Sequence, residues 1–168
     1  VLGIGRDITK RKNAELELLN AKERIEESEI KFRQLAENLN DVVWLRNGDQ
    51  IVYINPAFEE MFGISREVLY EDSNLLYEVM HPEDIQKYQD ALNTKEFFET
   101  GKFYCEYRII RPNNDIRWII AKSSPIIDTK GNQTTYRVGI AIDITLLKNI
   151  EKELIAAKEK AEESDRLK

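Results

Sequence analysis

The chain has 168 residues but only one cysteine and one histidine. A lone thiol, Cys105, cannot close an internal disulfide, so a reducing, cytoplasmic setting is expected. One His and one Cys also lack the clustering of a metal site, and no metal is expected. No apolar run approaches the roughly 18–20 residues that cross a bilayer. No signal-peptide pattern opens the chain, and no direct membrane contact is expected. Excess positive charge is missing too. The net charge is −6, which argues against a nucleic-acid partner. There is no Gly-rich phosphate loop and no Ser/His/Asp arrangement. The acidic pairs Glu59-Glu60, Glu83-Asp84 and Glu162-Glu163 are neighbours in helical stretches and diverge, so they read as solvated faces. No catalytic residue is expected, and this chain is not expected to be an enzyme in itself.

What is present is a repeat. Residues 3–28 and 139–164 agree at 16 of 26 positions, and self-similarity at a fixed offset marks a repeated architecture. Gly3-Ile-Gly-Arg-Asp-Ile-Thr9 matches Gly139-Ile-Ala-Ile-Asp-Ile-Thr145, and each runs on into a charged helical stretch. The expectation is a segment of a tandem array: residues 1–9 the tail of an upstream unit, 10–34 a linker helix, 35–145 a whole globular unit, 146–168 an outgoing helix.

Both helical arms carry a heptad seam. No Gly or Pro falls between Lys10 and Asp41, and apolar residues recur at Ala14, Leu18, Ala21, Ile25, Phe32, Leu35 and Leu39. Leu147, Ile150, Leu154, Ala157 and Ala161 keep the same alternation. Spacing of three and four is the seam of a two-stranded coiled coil, so Leu18, Ala21, Ile25, Phe32, Leu147, Ile150 and Leu154 are the candidate contacts of a parallel homodimer. A helix lying solvated against its own domain is the alternative. Thr9 and Thr145 sit where helices are expected to begin, their hydroxyls accepting from first-turn amides. The acid two residues earlier favours the same helix end. Asp143, Ile144 and Thr145 thus form a candidate elbow joining the last strand to the outgoing helix.

Between the arms the pattern changes. Two short strands, 41–46 and 50–54, flank an Asn47-Gly48 turn. Short helices follow near 57–62, 66–70 and 74–78, and a longer one is expected from His81-Pro82 to about Thr100, closed by Gly101. Three strands end the unit, with Phe103, Cys105, Tyr107 and Ile109 on one face of the first. This order implies an α+β fold: a five-stranded antiparallel sheet with helices on one side. The long N-terminal helix is the candidate cover for the other side.

The order and its motifs resemble the PAS sensory domains that carry the C-terminal motif called PAC. The carrying residues are Ile51-Val-Tyr-Ile-Asn-Pro-Ala-Phe-Glu-Glu-Met-Phe-Gly-Ile-Ser65, His81-Pro-Glu-Asp84, Glu106-Tyr-Arg108 with Ile116-Arg-Trp118, and Gly139 through Thr145. Asn114-Asp115 departs from the usual Asp-Gly turn, but Asn also takes the left-handed conformation. Glu162 to Lys168 is similar to the linker ahead of the phosphoacceptor helix in sensor histidine kinases of two-component systems.

The resemblance implies a non-catalytic sensory and dimerisation module. It would relay a ligand or upstream conformational signal to a C-terminal output domain, a histidine kinase, with PAS and kinase domains as neighbours in the parent chain. A haem- or flavin-binding sensor and a structural spacer without ligand are the alternatives. The resemblance also allows a small-molecule pocket, with Val43, Leu45, Phe58, Leu76, Tyr107, Trp118 and Ile140 as candidate lining. Large aromatics could instead fill that space. No cofactor is expected. His81 stands at a helix entrance, where it suits capping better than haem ligation. Cys105 lies on a strand rather than in the Asn-Cys-Arg-Phe-Leu type of helix that forms flavin adducts.

Overall fold

In this computed structural model residues 2–168 are described, with side chains from Ile4 onward. They pack as two units, one ending at Asn38 and one running Leu39–Lys168.

The first unit is a single helix, α1 (Leu2–Glu37). Its Glu, Lys, Leu and Ala are strong helix formers, and Arg11–Glu15, Glu27–Lys31 and Glu29–Arg33 pair one turn apart. Leu18, Ile25 and Phe32 are exposed along it. Residues Leu2 to Thr9 are helical, not the strand and elbow expected from the repeat. A strand needs a partner to complete its ladder, whereas a helix satisfies its amides internally. Thr9 is accordingly no cap: its hydroxyl donates to the Gly5 carbonyl within the helix (2.9 Å).

The second unit opens with the hairpin β1 (Val42–Asn47) and β2 (Gln50–Ile54). Asn55 ends β2 and stitches the pair together. Its buried amide accepts from the Val43 N–H (2.9 Å) and donates to the Asp41 carbonyl (2.9 Å). Helices α2 (Ala57–Phe62), α3 (Arg66–Glu71) and α4 (Leu75–Val79) follow. Gly63 stops α2 in the left-handed conformation (φ 74°) and Ser65 caps α3, as the turn chemistry requires.

The longer helix expected from residue 82 to 100 is three pieces: a 3-10 turn (Pro82–Asp84), α5 (Ile85–Leu92) and α6 (Lys95–Thr100). Thr94 breaks it, because its hydroxyl accepts from the Phe97 N–H (3.2 Å) and starts a new helix. Such side-chain competition for backbone amides is why Thr favours caps.

β3 (Phe103–Ile110), β4 (Ile116–Ile127) and β5 (Gln133–Asp143) complete the sheet, and α7 (Thr145–Arg166) leaves it. The strand order is β2-β1-β5-β4-β3, antiparallel throughout. Asn114 takes φ 63° in the β3–β4 turn, so the departure from Asp-Gly is accommodated. Helices α2 to α6 pack on one face of the sheet. There Phe58, Phe62, Leu69 and Met80 meet Phe103, Tyr107 and Ile119 in one buried cluster. Among the described residues, no helix is long and apolar enough to cross a membrane.

Candidate functional site

The helix-covered face of the sheet is not filled. A cavity of about 540 Å³ lies there, within the size range of small-molecule sites. The cause is legible row by row. Val42 on β1 stands opposite Ala141 on β5, Ala141 opposite Ala121 on β4, and Ala121 opposite Cys105 on β3. The next row is Trp44, Gly139, Ser123 and Phe103. The two central strands thus present Gly, Ala and Ser where a packed core would place Leu or Ile. Large rings wall the space instead: Phe58 and Phe62 from α2, Tyr88 from α5, Phe97 from α6. Tyr88 meets Tyr77, Phe103 and Tyr107 edge-on at centroid distances of 5.8, 5.0 and 5.2 Å. Burial pushes the phenols of Tyr88 and Tyr107 well up, so both stay neutral donors.

Of the expected lining, Phe58, Leu76 and Tyr107 border the cavity. Val43, Leu45, Trp118 and Ile140 do not. Each is one residue out of phase with a strand residue that faces the helices, such as Val42, Trp44, Ile119 or Ala141. Side chains alternate with period two, so a one-residue slip moves a whole set to the opposite face. On β1 both faces are apolar, and on β5 the more apolar face is the one turned away from the helices, which hid the phase. The missed signal was Gly139. A glycine inside a strand marks close approach, and here the Trp44 indole occupies the space its Cβ would need.

One end of the cavity is cationic. Arg46 on β1 and Arg137 on β5 are directly opposed, and both line it. Arg46 donates to the Gly48 carbonyl (2.7 Å) and pairs with Asp49 (3.2 Å). Arg137 donates from Nη2 to the Gly101 carbonyl and to Ser123 Oγ (3.0 Å), and its guanidinium lies 5.0 Å from the Phe97 ring centroid. Burial, and then the charge of Arg46, pulls its proton affinity below the usual arginine range. Sequence reading passed over Arg137 because a charged residue on an amphipathic strand is ordinarily solvated.

The same strand carries the elbow. β5 ends at Asp143, whose Oδ1 accepts from the Thr145 N–H (2.8 Å) and from the Thr145 hydroxyl. Its Oδ2 pairs with Arg117 (3.2 Å). The expected role of Thr145 is corrected: its hydroxyl oxygen accepts from the Trp118 N–H of β4 (2.9 Å), not from an amide of α7. Thr145 is the first helical residue and Ile144 holds the cap position, so this side chain reaches back to the sheet. The Ile144 N–H also donates to the Trp118 carbonyl (2.8 Å). Lys148, one turn into α7, pairs with Glu106 (3.0 Å) and lies 5.3 Å from the Trp118 ring centroid. The pairing holds the Lys148 ammonium above its ordinary range. The Tyr104 hydroxyl and Lys148 together hold the Glu106 carboxyl below its own.

Trp118 is therefore part of the joint. Its other cation, Arg108 (5.3 Å), is clamped by buried Asp84 through Nε (2.9 Å), Nη2 (2.7 Å) and its own backbone N–H (2.7 Å). These bonds keep the Asp84 carboxyl below the usual range. His81 acts as a cap, its Nδ1 accepting from the Glu83 N–H (3.3 Å). Cys105 is buried on β3, and burial pushes its thiol up. Leu147, Ile150 and Leu154 stand exposed on α7.

Three comparisons bear on this geometry. The family model described as PAS fold matches residues 51–141. A search of curated proteins returns no match. Among solved structures, the chain is similar to a domain assigned to a light and redox sensing histidine kinase from Haloarcula marismortui. That pair shares 28% identity and a TM-score of 0.52, over 68% of this chain and 98% of that one. It is also similar to a sensory box histidine kinase/response regulator from Burkholderia thailandensis (24%, TM-score 0.57, 79% and 98%). A third is the N-terminal domain of a diguanylate cyclase with PAS/PAC sensor from Marinobacter aquaeolei (22%, TM-score 0.53, 64% and 98%).

Proposed function

We propose that this chain, which belongs to the PAS fold family, is a non-catalytic sensory module that converts occupancy of its cavity into a movement of α7. The observation that carries the reading is the continuity of β5. Arg137 and Ala141 line the cavity, and two residues on Asp143 anchors the first turn of α7. A ligand that reseats β5 shifts a strand end whose carboxylate holds the helix start. Population shift of such a two-state joint needs only a differential interaction with the two arrangements.

The output receiving this movement is a histidine kinase, on the 28% identity to the Haloarcula domain and on the likeness of Glu162 to Lys168 to a kinase linker. The module works as a parallel homodimer through the exposed seams of α1 and α7. It relies on neither haem ligation by histidine nor a flavin–thiol adduct, because His81 is engaged as a cap and Cys105 lies in the core cluster. A visible absorption spectrum of the purified chain with no band beyond the aromatic range is the expected result.

The deciding experiment places Asp143→Asn in the parent protein. The substitution keeps the shape but weakens a charge-assisted bond by roughly 1–2 kcal/mol. Output activity should lose its dependence on the input signal while the domain stays folded. Intact regulation in that variant counts against the joint as the relay.

A further inference from the structure

The cavity holds an arrangement that is costly by itself. Two arginines face each other across neighbouring strands, and like charges directly opposite destabilise a sheet. Arg46 is relieved by Asp49, whose side chain is fully exposed at the rim. Arg137 is not: among the described residues no carboxylate pairs with it, and none accepts from its Nε or Nη1. A partly buried guanidinium without a counter-charge sits against the usual rule that buried charges are paired. Violations of such rules concentrate where function requires them.

We propose that the sensed ligand is an organic acid whose carboxylate pairs with Arg137 and whose apolar body lies along β5 toward Phe58 and Phe62. The proposal rests on reading the cavity as the sensory site and adds the chemical class of its occupant. Polarity within the cavity runs one way. The other charged and titratable groups bordering it are Arg46, Asp49, Tyr77, Tyr88 and Tyr107, and the only acid among them is already paired at the rim. Phe97 and the Gly101 carbonyl fix the guanidinium plane through stacking and a hydrogen bond. Its Nε–H and Nη1–H groups are left to donate charge-assisted bonds to a carboxylate. Away from that end the lining turns apolar, with Phe58, Phe62 and Leu69 beside Val42 and Ala141. Arg137 to Ala141 covers four residues of strand, roughly 13 Å. An elongated amphiphile fits this span better than a compact polar acid. Arg46 adds a second positive charge at the rim that draws anions in.

A structural role is the competing account, with Arg137 merely pinning the end of α6 to the sheet. Calorimetric titration and thermal shift of the 168-residue chain with octanoate, decanoate and indole-3-acetate separate the two, each acid measured against its own primary amide. The acids should bind at least about tenfold tighter than the amides and raise Tm by mass action. In Arg137→Gln that preference should fall to within about twofold, while amide binding persists. Arg137→Lys, which keeps the charge and loses the fixed guanidinium donors, should retain an intermediate preference and serves as the reading if the Gln variant fails to fold. Acids binding no better than amides would overturn the acid assignment and leave the sensory cavity standing. A preference unchanged in both Arg137 variants would overturn the role of Arg137. Binding by none of the probes would overturn the proposal together with the reading beneath it.

Discussion

The indole of Trp44 on β1 occupies the space a side chain at Gly139 of β5 would need. This contact joins the strand that floors the cavity to the strand beside it. Gly139→Ala drives a methyl into the ring. Overpacking of this kind costs about 1–3 kcal/mol, visible as a lower Tm and as altered tryptophan fluorescence. Trp44→Leu in the same chain should recover part of the loss. Equal stability of wild type and Gly139→Ala would show that the indole moves aside freely.

The Asp84–Arg108 clamp makes stability depend on acid. Hydrogen bonds from Arg108 hold the Asp84 carboxyl below its unfolded value. Its contribution is therefore complete above the unfolded pKa and is lost as pH falls through the folded one. Asp84→Asn should be destabilised near neutrality by about 3 kcal/mol, the cost of breaking a buried pair. The gap to wild type should close between about pH 5 and about pH 2. Denaturant melts across that range check it, and a gap that stays constant with pH rules the ionised carboxylate out as its source.

Thr145 ties α7 to β4 through one hydroxyl. Thr145→Val keeps the shape, removes the acceptor for the Trp118 N–H and leaves that amide unsatisfied. A loss of about 1–2 kcal/mol is expected. Hydrogen exchange should show faster opening of the first turn of α7, with the strands near Tyr107 unchanged. Uniformly faster exchange over the whole sheet would instead mean that the joint is part of the global fold.

Leu154 projects from α7 with 69% of its surface exposed. If the seam pairs two copies, Leu154→Glu places like charges across it, and the chain should shift from dimer to monomer in light scattering. The thermal transition of the globular unit should change little, since Leu154 lies outside the buried cluster. A monomeric wild type at high concentration would remove the dimer from the proposal.

Local chemistry made much of this molecule readable from its residues. Gly63, Ser65 and Asn114 each do what their backbone preferences demand. The alternation of Phe103, Cys105, Tyr107 and Ile109 named the inner face of β3, because its outer face carries Tyr104, Glu106 and Arg108. On β1 no such contrast exists, since Val43 and Leu45 are as apolar as Val42 and Trp44. On β5 the contrast points the other way: Tyr136, Val138 and Ile140 are larger and more apolar than the cavity-facing Arg137 and Ala141. Thr94 was passed over because Thr is also tolerated inside helices, and only its hydroxyl bond to Phe97 reveals the break.

The amino-acid order by itself determined most of the element sequence and the antiparallel sheet with helices on one side, because turns, caps and strand periodicity are short-range effects. Tertiary structure alone decided which side of each central strand faces the helices, that Ala121, Ser123 and Ala141 line a cavity, and that Arg137 enters it beside Arg46. Those facts depend on registers between strands far apart in the chain. Register is set by how whole faces pack, which no window along the sequence contains.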